Sequence, residues 1–205
     1  MAKYRELLLP VLGKKIMQDA SSQGVSLASE LLYKEVIAQF DNIPLKALEL
    51  GGGCGIVSIM CALLRPVWDI TLLEIQSHLT ELARENAQAC SVKLNVLCED
   101  LLEHNGQYDL IYANPPWRKL NSGQMSPYHE RNISRFELQC TMQDILQAIE
   151  RNLKQAGIAV LIYPQERMKD LTTEIDKTLL DIIKHRIHDG NKAFSLACIK
   201  HREIL

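Results

Sequence analysis

At 205 residues, the chain has room for one domain with a full core, and a second would be cramped. Hydrophobic residues make up 47% and charged residues 23% of it, the balance of a soluble globular protein. The net charge of -2 excludes a broad basic field, so nucleic-acid binding has to come from a local patch or from a partner.

In chain order, the run from Leu7 to Leu12 is too short, and too broken by Pro10, for a signal sequence or a membrane span. Residues 1–40 read as an N-terminal helical segment with a helix over 26–40, and residues 41–205 as the core of a single domain spanning 1–205. Short apolar runs then alternate with longer stretches of helical period. Strands are predicted over 45–50, 69–75, 93–98, 108–113 and 157–163, and helices over 56–64, 77–89, 139–154 and 165–180. That alternation means βαβ units and a parallel sheet with helices on both faces. Residues 185–188 and 194–200 flank Asp189-Gly190-Asn191-Lys192, a hairpin signal that closes the sheet with an antiparallel pair. Residues 118–135 lack a period and read as a long loop leaving the sheet, a place where function is often found. Of the six cysteines (Cys54, Cys61, Cys90, Cys98, Cys140 and Cys198), none forms a Cys-x-x-Cys pair, and no histidine stands at metal-ligand spacing from a pair. They are expected to be buried, reduced thiols of a cytoplasmic protein without a metal.

Glu49-x-Gly51-x-Gly53-x-Gly55 follows a predicted strand and precedes a helix. Glycines let a backbone turn sharply and approach a ligand closely. A dinucleotide fingerprint, G-x-G-x-x-G, fails in both registers, since its last position falls on Ile56 or Ser58. A carboxylate at Glu49 would repel a pyrophosphate at the helix N-terminus, but it suits the ammonium of a methionine moiety, directly or through water. The expected cofactor is therefore S-adenosyl-L-methionine (SAM), and the sheet matches the seven-stranded, Rossmann-like class I SAM methyltransferase fold. Glu74 ends the second core strand, where an acid accepts ribose hydroxyls. Asp100 follows the third, where it can accept from the adenine amino group while Leu101 or Leu102 packs on the ring; a helix N-cap is the plainer role for Asp100.

Asn114-Pro115-Pro116-Trp117 stands at the end of the apolar run 108–113. A planar amino group is a poor nucleophile because its lone pair is delocalised. The Asn114 side-chain carbonyl and the Pro115 carbonyl can accept its two N–H groups. Pro115 and Pro116 fix φ and leave carbonyls free, and Trp117 offers a face for stacking. Arg118, Lys119, Arg131 and Arg135 make the following loop locally basic, fit for phosphates around a flipped base.

The segment from Asn114 to Arg118, together with Gly123 to Pro127, Glu130-Arg131, Ser134 to Leu138, Cys140-Thr141 with Asp144, and Tyr163 to Met168, resembles the bacterial tRNA1(Val) adenine-N6-methyltransferases. This chain has Trp117 where that family usually has Tyr, and Phe136 where it has His. The resemblance implies a SAM-dependent N6-adenine methyltransferase acting on RNA, and on tRNA in particular. A protein glutamine-N5 methyltransferase shares the site chemistry and is the alternative. A SAM-binding subunit that needs a protein partner for activity is a further one.

Overall fold

The computed structural model describes residues 4–10, 13–19, 26–117, 140–190 and 193–203. The N-terminal segment departs from the helical expectation. It opens with an antiparallel hairpin of β1 (Tyr4–Leu8) and β2 (Lys15–Asp19), in which Leu8 pairs with Lys15 and Tyr4 with Asp19. Pro10 cannot continue a helix, Gly13 takes a positive φ of 60° in the turn, and β2 alternates exposed Lys15 and Met17 with buried Ile16 and Gln18. Among the described residues of this segment, only α1 (Leu27–Ile37) fulfils the helical reading, inside the predicted 26–40.

Beyond α1, a seven-stranded sheet forms the centre. Its parallel strands are β3 (Lys46–Leu50), β4 (Asp69–Glu74), β5 (Asn95–Cys98), β6 (Tyr108–Ala113) and β7 (Leu153–Pro164). β8 (Leu180–His188) and β9 (Phe194–His201) close it with antiparallel pairs, giving the order β5-β4-β3-β6-β7-β9-β8. The mostly parallel sheet and its closing hairpin are those predicted.

Helices cover both faces. Alternate residues of each strand point to opposite sides. Ala47, Leu110, Tyr112, Val160, Ile162, Leu196 and Cys198 join one core with α1, α2 (Ile56–Leu64) and α3 (Ser77–Cys90). Leu48, Leu50, Ile111, Ala113, Leu161 and Ala197 join the other with α4 (Met142–Asn152) and α5 (Met168–Ile175). α4 starts at Met142, with Thr141 as its N-cap, later than the predicted 139. Thr141 and Asp144 form a capping box: the Asp144 N–H donates to Thr141 Oγ1 at 3.2 Å and the Thr141 N–H to Asp144 Oδ2 at 2.8 Å.

The predicted helix over 165–180 is shorter: a 3-10 turn (Gln165–Arg167), then α5, which buries only Leu171 and Ile175 before the chain turns into β8. All six cysteines are free. Cys54, Cys61, Cys90 and Cys198 are buried as expected, but Cys98 is exposed at the end of an outer strand. No helix among the described residues is long and apolar enough to cross a membrane.

Candidate methyl-transfer site

Register brings the sequence signals to one rim of the sheet. Leu50 pairs with Leu73 on one side and with Ala113 on the other. Gly51, Glu74 and Asn114 are therefore the next residues on three neighbouring parallel strands. Glu74 in turn pairs with Cys98, two residues before Asp100. All lie at the carboxyl ends of strands, where open α/β sheets bind ligands.

The glycine loop has an open side and a packed side. Gly51, Gly53 and Gly55 take φ values of 67°, 57° and 86°. A Cβ at Gly51 or Gly53 would meet nothing within 4 Å, whereas one at Gly52 would run into the Leu72 side chain. Open space beside two left-handed glycines is what a closely approaching ligand needs. The Gly53 N–H donates to Glu74 Oε2 at 2.9 Å, and the Gln76 N–H donates to Glu74 Oε1 at 3.0 Å. Burial pushes the Glu74 carboxyl above the usual carboxylate range, against the pull of those N–H groups.

Glu49, expected to meet an ammonium directly or through water, is held from the protein side. The alternation of β3 turns it to the same face as Ala47, toward α2, where it is 3% exposed. Its Oε2 accepts the Ser58 N–H at 3.1 Å and the Ser58 hydroxyl, and Ser58 Oγ lies 2.8 Å from the Tyr112 hydroxyl. Burial pushes the Glu49 carboxyl up to about 8. The residue braces the first turn of α2 from beneath the loop. Neither Ser58 nor Tyr112 was legible as a partner, because the contact depends on how α2 packs on the sheet.

Asp100 fills its capping role. Its Oδ1 accepts the Leu102 N–H at 2.9 Å and its carbonyl takes the N–H groups of Glu103 and His104, so it caps the turn after β5. Leu101 is partly buried against the core shared with α4 and α5. The same turn is stapled by His104, which lies 3.2 Å from Glu99 Oε2 and 2.9 Å from the Tyr108 hydroxyl.

The Asn-Pro-Pro-Trp corner is tied together. Trp117 Nε1 donates to Asn114 Oδ1 at 3.2 Å. The Trp117 ring meets Phe194 at 5.5 Å and 82°, and its carbonyl accepts from Arg167 Nη1. Pro115 is buried, and Asn114, Pro116 and Trp117 are half-buried. Phe194 and Arg167 come from strand β9 and the β7–α5 turn, and nothing in the sequence linked Phe194 to Trp117. Arg118, Arg131 and Arg135 lie outside the described residues. Among the described residues, no cluster of His, Cys, Asp and Glu could hold a metal.

Comparison with solved structures shows the fold. A methyltransferase from Pyrococcus furiosus superposes with a TM-score of 0.69 at 17% identity, covering 94% of this chain and 91% of that one. The 16S rRNA N2 G1207 methyltransferase of T. thermophilus gives 0.69 at 14% identity, covering 99% and 52%. The sheet is thus of the class I methyltransferase type. In sequence, the chain is 30% identical over 139 residues to a tRNA1(Val) (adenine(37)-N6)-methyltransferase from Porphyromonas gingivalis. The match covers 63% of this chain and 54% of that protein, so the chain spans about half the length of this relative. A release factor glutamine methyltransferase from Lactococcus lactis is 30% identical over 90 residues, 43% of this chain and 33% of that one. The family model for the methyltransferase small domain matches residues 20–130, more than half of the chain and all of the rim from Glu49 to Trp117. The chain belongs to the methyltransferase small domain family.

Proposed function

We propose that this protein is a SAM-dependent methyltransferase that modifies the exocyclic amino group of adenine in RNA, specifically in a tRNA. The carrying observation is the register that sets Gly51 and Asn114 on adjacent strand ends. It supports a cofactor loop and an amine-binding corner side by side.

The loop fits SAM. Gly51 and Gly53 leave open space, Gly55 turns the chain into α2, and Glu74 sits one strand away in the position of a ribose acceptor. Asp100 and Leu101, beyond β5, flank the place of an adenine ring. SAM supplies an electrophilic methyl on a sulfonium: a C–N bond forms as the S–CH3 bond breaks, and the amine then loses a proton to solvent.

The chain's own residues hold the acceptor. Asn114 Oδ1 has two lone pairs, and the Trp117 indole uses one. The other, with the Pro115 carbonyl, can take the two N–H groups of the target and favour a pyramidal nitrogen. Trp117 supplies a stacking partner worth about 1–3 kcal/mol per base. Arg118, Arg131 and Arg135 would hold flanking phosphates. No general base has to act before transfer, so most of the acceleration is positioning. The Porphyromonas gingivalis relative supports the tRNA assignment, and a tRNA substrate implies a cytoplasmic protein. A glutamine amide presents the same kind of nitrogen; the shorter Lactococcus lactis match supports that second reading.

The test is transfer of labelled methyl from SAM to bacterial tRNA lacking its adenine-N6 mark, followed by nucleoside analysis. N6-methyladenosine is expected with wild type. With Asn114→Ala it is expected to fall at least ~100-fold while SAM binding stays within about twofold. Label in a release-factor loop would transfer the assignment to the glutamine reaction. Label in neither, restored by a co-purifying protein, would make the chain a partner-dependent subunit.

A further inference from the structure

Arg167 occupies a costly position. The residue is 8% exposed, and it stands immediately before α5, where the positive end of the helix dipole disfavours a cation. It makes no side-chain capping bond there. Instead, Nε donates to Asp170 Oδ2 at 2.8 Å, and Nη1 reaches 50 residues back in sequence to the main-chain carbonyl of Trp117. Trp117 in turn donates its indole N–H to Asn114 Oδ1. An indole N–H is a donor only, so it selects the oxygen of the Asn114 amide and turns the NH2 group away. A continuous chain of bonds therefore runs from Asp170 through Arg167 and Trp117 to Asn114.

We propose that Arg167 is a positioning residue for methyl transfer, fixing the Asn114 carbonyl through Trp117. The inference rests on the assignment of Asn114 as the amine acceptor. Burial of the guanidinium, with Nε and Nη1 committed inside the protein, favours positioning over a direct phosphate contact. Arg167 also holds the peptide bond from which the chain enters residues 118–135. A loosened corner would leave the stacking ring and the acceptor with separate motions, and a misplacement of about 1 Å can cost ~100-fold in rate.

The experiment uses the full chain with 15N-labelled indoles. Only Trp68 and Trp117 contribute, and Trp117→Phe identifies its signal. Arg167→Ala is expected to shift the Trp117 indole resonance, to leave that of Trp68 unmoved, and to lower kcat on tRNA about 10- to 100-fold with the SAM Kd within about twofold. Arg167→Lys, which restores one donor, is expected to recover part of both the shift and the rate. An unmoved Trp117 resonance would overturn the proposal. So would a rise in KM for tRNA with unchanged kcat and a shallower salt dependence, which marks a phosphate contact. The resonance needs no substrate, so an inactive wild type would remove the RNA reading while the spectrum still decides whether Arg167 sets Trp117.

Discussion

A carboxyl buried beneath a glycine loop ionises only at the cost of lost hydration, and Glu49, held at about 8, carries that cost. Its folded value is raised above that of the unfolded chain, so its contribution to stability is full below the unfolded value near 4.5 and is lost as pH rises through about 8. Wild type is expected to lose roughly several degrees in Tm between pH 6 and 9, whereas Glu49→Gln, which stays neutral, flattens that slope and comes to match wild type only as pH falls toward 4.5. Melting curves across that range check it; parallel slopes would sink the idea. The glycines next to Glu49 separate two costs. Gly51→Ala strains a φ of 67° but meets open space, so it loses about 1 kcal/mol and chiefly weakens SAM binding. Gly52→Ala drives a Cβ into Leu72, which is fully buried in β4, and is expected to lose about 1–3 kcal/mol. Urea unfolding and SAM titration of both variants tell strain from collision.

Between elements, α1 is pinned to the far edge of the sheet by Glu35. This carboxylate, 2% exposed, accepts Lys184 and Arg186 of β8 at 3.0 Å each and Gln39 at 2.9 Å. Lys184→Ala with Arg186→Ala leaves it buried with only neutral partners, Gln39 and the Cys198 thiol, and stability is expected to fall by about 2 kcal/mol. That is less than for a fully enclosed pair, because both cationic ends are about half exposed. Urea midpoints check this, with Glu35→Gln in the same background recovering part of the loss. Such a cluster joins residues 149 positions apart, and no local pattern announces it. What local pattern does announce came through intact. β6 and α2 occupy the predicted 108–113 and 56–64, because an apolar run ended by Asn-Pro and a helix opened by Gly55 carry their boundaries in adjacent residues. The helix predicted over 165–180 broke down because Leu180, read as one more apolar turn, is instead the first residue of an edge strand packed on β9. The site was legible at the same level. Gly51, Glu74 and Asn114 stand at strand ends and so share a rim, whereas Glu49–Ser58 and Arg167–Trp117 depend on packing that only the folded chain sets.

Across the whole molecule, the unforeseen N-terminal hairpin is fastened to the candidate site through one side chain. Asn86, on α3 and 1% exposed, accepts the Met17 N–H at 2.7 Å and donates to the Met17 carbonyl at 2.8 Å, in effect a strand neighbour for β2. The same Nδ2 donates to the Cys54 carbonyl of the glycine loop at 2.9 Å. Nearby, His78 at the start of α3 lies 3.6 Å from Asp19 at the end of β2. Hairpin, helix and loop therefore share a joint, and ordering of the hairpin is coupled to the shape of the loop. Asn86→Ala removes all three bonds and strands the Cys54 carbonyl, a loss of about 1–3 kcal/mol. Two readouts follow. Amide exchange over residues 4–19 is expected to rise while the central strands β3 and β6 stay protected, which locates the loss in the hairpin rather than in the sheet. SAM affinity is expected to fall about 3- to 10-fold, the share of that energy felt by the loop. Faster hairpin exchange with unchanged affinity would mean that the hairpin only covers α3. A weaker affinity with a still-protected hairpin would mean that Asn86 acts on Cys54 alone.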